Sequence, residues 1–188
     1  MWRIRKFLNT QGKDKAQGSY LFPILLLSGV MIGVFSITSA QKSFGHDSSN
    51  PQAQAFELAK DFNGKMDPLL AVGLRMGEYA MKKLGVKKHE LKVIAELNLE
   101  PPQSYILDGL QIITGATFGN RQIEVTPAAE PKITFINLND GGGKVTLALS
   151  KNFGEKLNGW MKDWGDLEIV SLYIYTLPTN EDIFQEVP

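Results

Sequence analysis

The sequence predicts an α+β domain, and three observations carry that reading. Short runs of strand character cluster at 91–99, 122–125, 132–138 and 144–149. Helical patterns lie before and after them without a regular strand–helix–strand alternation. A chain of 188 residues accommodates one domain with extensions. Four segments follow: a basic stretch at 1–19, an apolar one at 20–40, a spacer at 41–54 and the folded domain at 55–188.

The zero net charge hides a segregation. Residues 1–19 carry Arg3, Arg5, Lys6, Lys13 and Lys15 against Asp14 alone, and the chain beyond residue 40 is four charges negative. A mildly acidic domain has no electrostatic reason to collect on phosphate backbones, so nucleic acid is not an expected partner. Cysteine is absent, which excludes disulfides, zinc–thiolate sites, iron–sulfur clusters and thiol nucleophiles. The two histidines, His46 and His89, lie far apart in hydrophilic stretches, so no Ser-His-Asp set can be assembled.

Residues 16–41 contain no charge, and 21–35 are almost wholly apolar. At about 1.5 Å per residue, 20–40 matches a hydrocarbon core of about 30 Å. The basic flank places the N-terminus in the cytoplasm and the remainder on the far side. Two versions stay open. One is a retained signal anchor, with the membrane as a partner through 20–40; the other is a signal peptide cleaved after Thr38-Ser39-Ala40. The spacer at 41–54, rich in Ser, Asn, Gln and Gly, has no periodicity, and order is expected to start near Ala53.

A short helix at 55–59 comes first, with breaks at Asn63-Gly64 and Pro68. The helix at 69–84 has Leu70, Leu74, Ala80, Met81 and Leu84 near one stripe, Lys82 and Lys83 at its C-terminal end, and Gly85 as its stop. Gly73 and Gly77 cost about 1 kcal/mol each in a helix interior, and their use is the close approach of another backbone, within the fold or across a homodimer. A strand at 91–99 ends at Pro101-Pro102, and Ser104 caps a helix at 105–113. Three strands follow at 122–125, 132–138 and 144–149, the last two joined by Asp140-Gly141-Gly142-Gly143. A helix at 153–164, a strand at 167–175 and a tail docked through Ile183 and Phe184 complete the chain. Trp160 and Trp164, four apart, are read as core or rim residues, with a sugar- or membrane-facing pair as the other option.

Two blocks carry a resemblance. The first is Leu70-Ala71-Val72-Gly73-Leu74-Arg75-Met76-Gly77-Glu78-Tyr79-Ala80. The second, from Pro102 to Gly119, is similar to the pattern P-x-S-C-x-x-D-G-x-Q-x-x-T-G-x-T-x-G. Together they resemble the FmdE family, named for a component of formylmethanofuran dehydrogenase, and the likeness covers most of 53–150. It implies a central, mainly antiparallel sheet flanked by helices. It also implies a metal site, but the ligand positions have changed. The family's F-H-G-H-x-C-P-like turn reads Phe62-Asn63-Gly64-Lys65-Met66-Asp67-Pro68, and the family cysteines fall on Tyr105 and Ala116. Alanine offers no donor atom and tyrosine suits soft metals poorly, so neither metal nor cofactor is expected.

Polar groups persist at matching positions. Asp108, Gln111 and Thr114 follow at three-residue steps on one helix, and Thr117 lies in the loop beyond. If the family arrangement holds, Asn63, Lys65 and Asp67 face them, and with Tyr105 they make a candidate pocket for a small molecule. The competing reading is structural: an Asp serving the helix dipole, and threonines stabilising a glycine-bent loop. The expectation is an exported, FmdE-like binding or accessory module without metal chemistry. The alternatives are an enzyme with reassigned residues around Asp108, or an accessory of formylmethanofuran dehydrogenase-type metabolism.

Overall fold

The computed structural model describes residues 50–139 and 141–188. The basic segment, the apolar segment and residues 41–49 of the spacer lie outside the described residues. Five helices and one five-stranded mixed sheet make up the described part, an α+β arrangement.

The first helix, α1 (Pro51–Asn63), is longer than the short helix expected and starts inside the expected spacer. The cause is local. The Asn50 side chain accepts the amide of Gln52, Pro51 sits in the first turn where its missing N–H costs nothing, and left-handed Gly64 ends the helix. The same device starts α2 (Pro68–Leu84). Asp67 accepts the amide of Leu69, so Pro68 opens the helix instead of breaking the chain. The Phe56 and Ala59 face of α1 and nearly all of the first two turns of α2 are buried.

The strands β1 (Leu91–Leu97), β2 (Ile123–Pro127), β3 (Lys132–Asn137), β4 (Lys144–Leu149) and β5 (Phe184–Val187) are ordered β2-β1-β3-β4-β5. Only β1–β2 is parallel; the other three pairings are antiparallel. Leu91, Val93, Ala95 and Leu97 of β1 turn to the core while the residues between them are half-buried. The other face is polar, with ion pairs Lys92–Glu124 and Lys132–Glu96 and a Thr134···Thr146 contact across strands. One sheet face is therefore the core face.

Between β1 and β2 runs α3 (Tyr105–Thr114), and after β4 come α4 (Phe153–Trp164) and α5 (Leu167–Thr176). Two expectations are corrected here. Ser104 makes no side-chain cap: it is itself helical, and the amides of Tyr105, Ile106 and Leu107 are taken by the carbonyls of Pro102, Gln103 and Ser104 in the preceding turn. The segment at 167–175 is a helix, not a strand. Its β-branched and aromatic content suggests a strand, but Asp166 accepts the amides of Glu168 and Ile169, and Val170, Ser171, Ile174 and Tyr175 are buried at helical spacing. Trp160 and Trp164 of α4 both meet the Tyr173 ring of α5 edge-on, so they join the two helices. The tail docks as expected through buried Ile183 and Phe184, and adds β5, a strand that the sequence pattern does not announce.

Arg75 ties this C-terminal region to α2. Its guanidinium donates to the carbonyls of Ile174, Tyr175, Leu177 and Thr179 and to the side chain of Asn180. It thereby serves carbonyls at and just beyond the C-terminus of α5, the end of the dipole that favours a cation.

Candidate functional site

The candidate site is organised by α3, and glycines set where α3 lies. A Cβ on Gly73 would run into the carbonyl of Ile106, and one on Gly109 would run into the Leu70 carbonyl and the Leu74 amide. At Gly77 the intruding groups would be the side chains of Ile113 and Thr114. The close approach expected of Gly73 and Gly77 is thus made inside the fold, against α3, and it supplies no case for a dimer. The sector of α3 carrying Ile106, Gly109 and Leu110 is pressed to α2, which leaves Tyr105, Leu107, Asp108 and Gln111 half-buried on the other side.

The turn before α2 reaches the start of α3. The Lys65 ammonium lies 5.5 Å from the centre of the Tyr105 ring, a cation–π contact. Asn63 shapes this turn by donating to the Lys65 carbonyl at 3.0 Å. Asp67 is buried and occupied as the cap of α2; burial pushes its carboxyl pKa up, partly offset by the Leu69 amide and by Lys65. Asp108 differs. Burial alone pushes its pKa up, and among the described residues its side chain has no hydrogen bond or ion pair. The Gln111 side chain is likewise without a hydrogen bond among the described residues, one turn further along.

The eight predicted residues do not share one cleft. Helical steps of three fall short of a full turn, so Thr114 is rotated about 120° from Asp108. It points into the core, where its hydroxyl donates to the Leu110 carbonyl at 2.6 Å and accepts the Ala116 amide at 3.1 Å. Thr117 lies beyond the far end of α3, about 15 Å from its start, and there Thr117 and Asn120 accept each other's backbone amides. These two threonines shape the loop. The contacts among the others are those of Lys65 with the Tyr105 ring and of Asn63 with the Lys65 carbonyl, while Asp108 lies three positions beyond Tyr105 on α3. Lys65 also lines a cavity of about 420 Å³, but the residues opposite belong to Gly165, Asp166, Leu167 and Glu168, not to α3.

His89, in the sequence a residue of a hydrophilic stretch, has a defined place. It holds left-handed backbone at φ 74, its Nδ1 lies 3.2 Å from the Gly115 carbonyl, and its amide donates to the Thr114 carbonyl at 2.7 Å. It therefore packs on the loop after α3, 26 residues away in sequence, and no local pattern announces that contact.

Residues 62–166 match the family described as FmdE, molybdenum formylmethanofuran dehydrogenase operon. The chain belongs to the FmdE family. It is also 27% identical over 146 residues to a protein of Archaeoglobus fulgidus described as a probable S-adenosyl-L-methionine-binding protein. That match covers 75% of this chain and 39% of the relative, so the chain spans about two-fifths of the relative's length.

The FmdE resemblance implies a metal site, and the residues of this FmdE domain do not fit one. Ala116 presents a fully buried methyl group, Tyr105 is engaged with Lys65, and the Asp67 carboxyl caps a helix. Among the described residues no three His, Cys, Asp or Glu side chains converge to hold an ion.

Proposed function

We propose that this FmdE domain is a small-molecule-binding module whose ligand lies along the outer sector of α3. The observation that supports it is Asp108. A carboxylate held half out of water without a donor is a cost to folding that other surface carboxylates avoid, and such groups concentrate at functional sites. Gln111 adds a free amide, and Tyr105, backed by Lys65, adds an aromatic face. Together they suit a ligand with a planar ring and hydrogen-bond donors. The relative's description makes S-adenosyl-L-methionine the first compound to test: its base would lie on Tyr105, and its ribose hydroxyls or amino group would donate to Asp108.

The test is thermal unfolding of the full chain with S-adenosyl-L-methionine. At 100 times Kd a ligand adds about 2.7 kcal/mol of stability, a shift easily read. The shift should vanish in Asp108→Ala and persist in Thr117→Ala. A shift that survives Asp108→Ala puts the ligand elsewhere.

A reassigned enzyme, with Asp108 as acid or base, draws on one observation: Lys65 lies over the ring of Tyr105, three positions before Asp108 on α3. It would show as turnover lost in Asp108→Asn with binding retained. An accessory role in formylmethanofuran dehydrogenase-type metabolism is the reading the family description itself supports. Further proposals rest on the sequence alone: residues 20–40 anchor or export the domain, so that it lies outside the cytoplasm, and the domain pairs as a homodimer. Among the described residues no helix is long and apolar enough to cross a membrane. Protease accessibility in intact cells tests the placement, and sedimentation tests the pairing.

A further inference from the structure

A groove of about 640 Å³ is lined by α2 from Arg75 to Lys83, by the end of α5 and the chain after it, and by Gln52 of α1, and its charge runs against that of the domain. Beyond residue 40 the sequence is four charges negative, yet among the described residues Arg75, Lys82 and Lys83 line this groove with Glu78 as the one acidic lining residue. The cations are not equivalent. Arg75 spends its donors on backbone carbonyls and Asn180, and no carboxylate pairs with it directly. Its charge reaches the groove as a field, offset in part by Glu78 nearby. Lys83 is bound to Glu186 at 2.9 Å. Lys82 is exposed, with no hydrogen bond or ion pair among the described residues, so its ammonium donors are free.

The aromatic lining is also arranged. The Tyr175 hydroxyl donates to Glu78 at 2.5 Å, and the Tyr79 hydroxyl donates to Glu186. Glu78 is thereby partly satisfied within the protein, and both rings are left to form walls. Leu177 and Pro178 add apolar surface. A concavity of this size, its surface shared between polar and apolar groups, is large enough for a small molecule. A nucleic acid would ask for a broader basic surface.

We propose that this groove binds a small organic oxyanion, its charged group on Lys82 within the field of Arg75 and its body against Tyr79 and Tyr175. A phosphoryl or a carboxylate ligand would use the same chemistry, so the experiment takes both. The full chain is titrated calorimetrically at low salt with inorganic pyrophosphate and, separately, with citrate. Saturable binding of either is expected, weakening as salt is added. Lys82→Gln should weaken it about fivefold with an unchanged unfolding curve, and Lys82→Glu should weaken it further. Lys65→Gln, at the site of the proposed function, should leave it unaltered. Pyrophosphate alone binding assigns a phosphoryl ligand, and citrate alone a carboxylate one. Absence of saturable binding to both probes overturns the proposal. So does equal affinity in Lys82→Gln, or an equal loss in Lys65→Gln, which would move the oxyanion to the other site.

Discussion

Arg75 and Asp108 are both ionisable side chains drawn partly out of water, and the protein treats them in opposite ways. Burial pushes the guanidinium pKa of Arg75 down and the carboxyl pKa of Asp108 up, so in each case the charged form is disfavoured. Arg75 is compensated by five partners that belong to the chain's own C-terminal region. Asp108 is compensated by none among the described residues. Desolvation by itself therefore says little about role; the partner inventory separates a charge that holds the fold from one left for something outside it. Arg75 was legible in sequence only as a member of a family block, whereas Asp108 was singled out, and the structure supplies the reason to rank them differently.

The largest expected effect breaks the compensated member of the pair. Arg75→Met keeps the length of the side chain but withdraws every donor from the carbonyls of Ile174, Tyr175, Leu177 and Thr179. At about 1–3 kcal/mol for each buried acceptor left unpaired, partly relieved by entering water, urea unfolding should show a loss of about 3–5 kcal/mol. A loss under about 1 kcal/mol would mean that the C-terminal segment is held by its apolar contacts alone. A step smaller is Gly73→Ala, where the new methyl meets the Ile106 carbonyl, a backbone atom that can yield only if α2 and α3 separate. Overpacking of this kind costs about 1–3 kcal/mol. Gly64→Ala, with no atom within 4 Å of its Cβ, is the control for the methyl itself, and its cost comes from left-handed φ 77. Thr114→Val should lose about 1–2 kcal/mol because the Ala116 amide is stranded in the core.

These effects track how much the sequence discloses. The helices α2 and α4 and the strands β1, β3 and β4 are written in local signals: Pro68 and Gly85 bracket α2, and β1 alternates in burial. The α5 segment misleads because Ile169, Val170, Tyr173, Ile174 and Tyr175 have strand preferences, and the Asp166 cap and the packing on α2 override them. The fifth strand is four residues long and exists by pairing with β4, so it has little pattern of its own. At the site, the resemblance set Lys65 opposite α3, and Lys65 meets the Tyr105 ring there. Spacing failed for Thr114, since three-residue steps drift around a helix. It had nothing to say about His89 on Gly115 or about Arg75, whose partners lie 99 to 105 positions away.

The smallest effect should have the opposite sign. Asp108→Asn removes the charge and keeps the shape. The carboxyl titrates from 3.8 when unfolded and higher when folded. Below pH 3.8 both states hold the proton, and Asp108 costs nothing. As pH rises through the window between 3.8 and the raised folded value, the unfolded state ionises first and stability drains away; above it, the deficit is constant. Asn has no such deficit. The variant should match the parent near pH 3 and exceed it from the upper edge of that window onward, by about 0.5 kcal/mol once screening at a half-exposed site is counted. Urea midpoints between about pH 3 and 8 measure this directly. A variant less stable than the parent at neutral pH would show that the Asp108 carboxylate is already satisfied, and the contrast with Arg75 would collapse. If instead a ligand donates to Asp108, its presence should reverse the order of the two proteins, because the bare carboxylate that weakens the free domain becomes the acceptor that the complex uses.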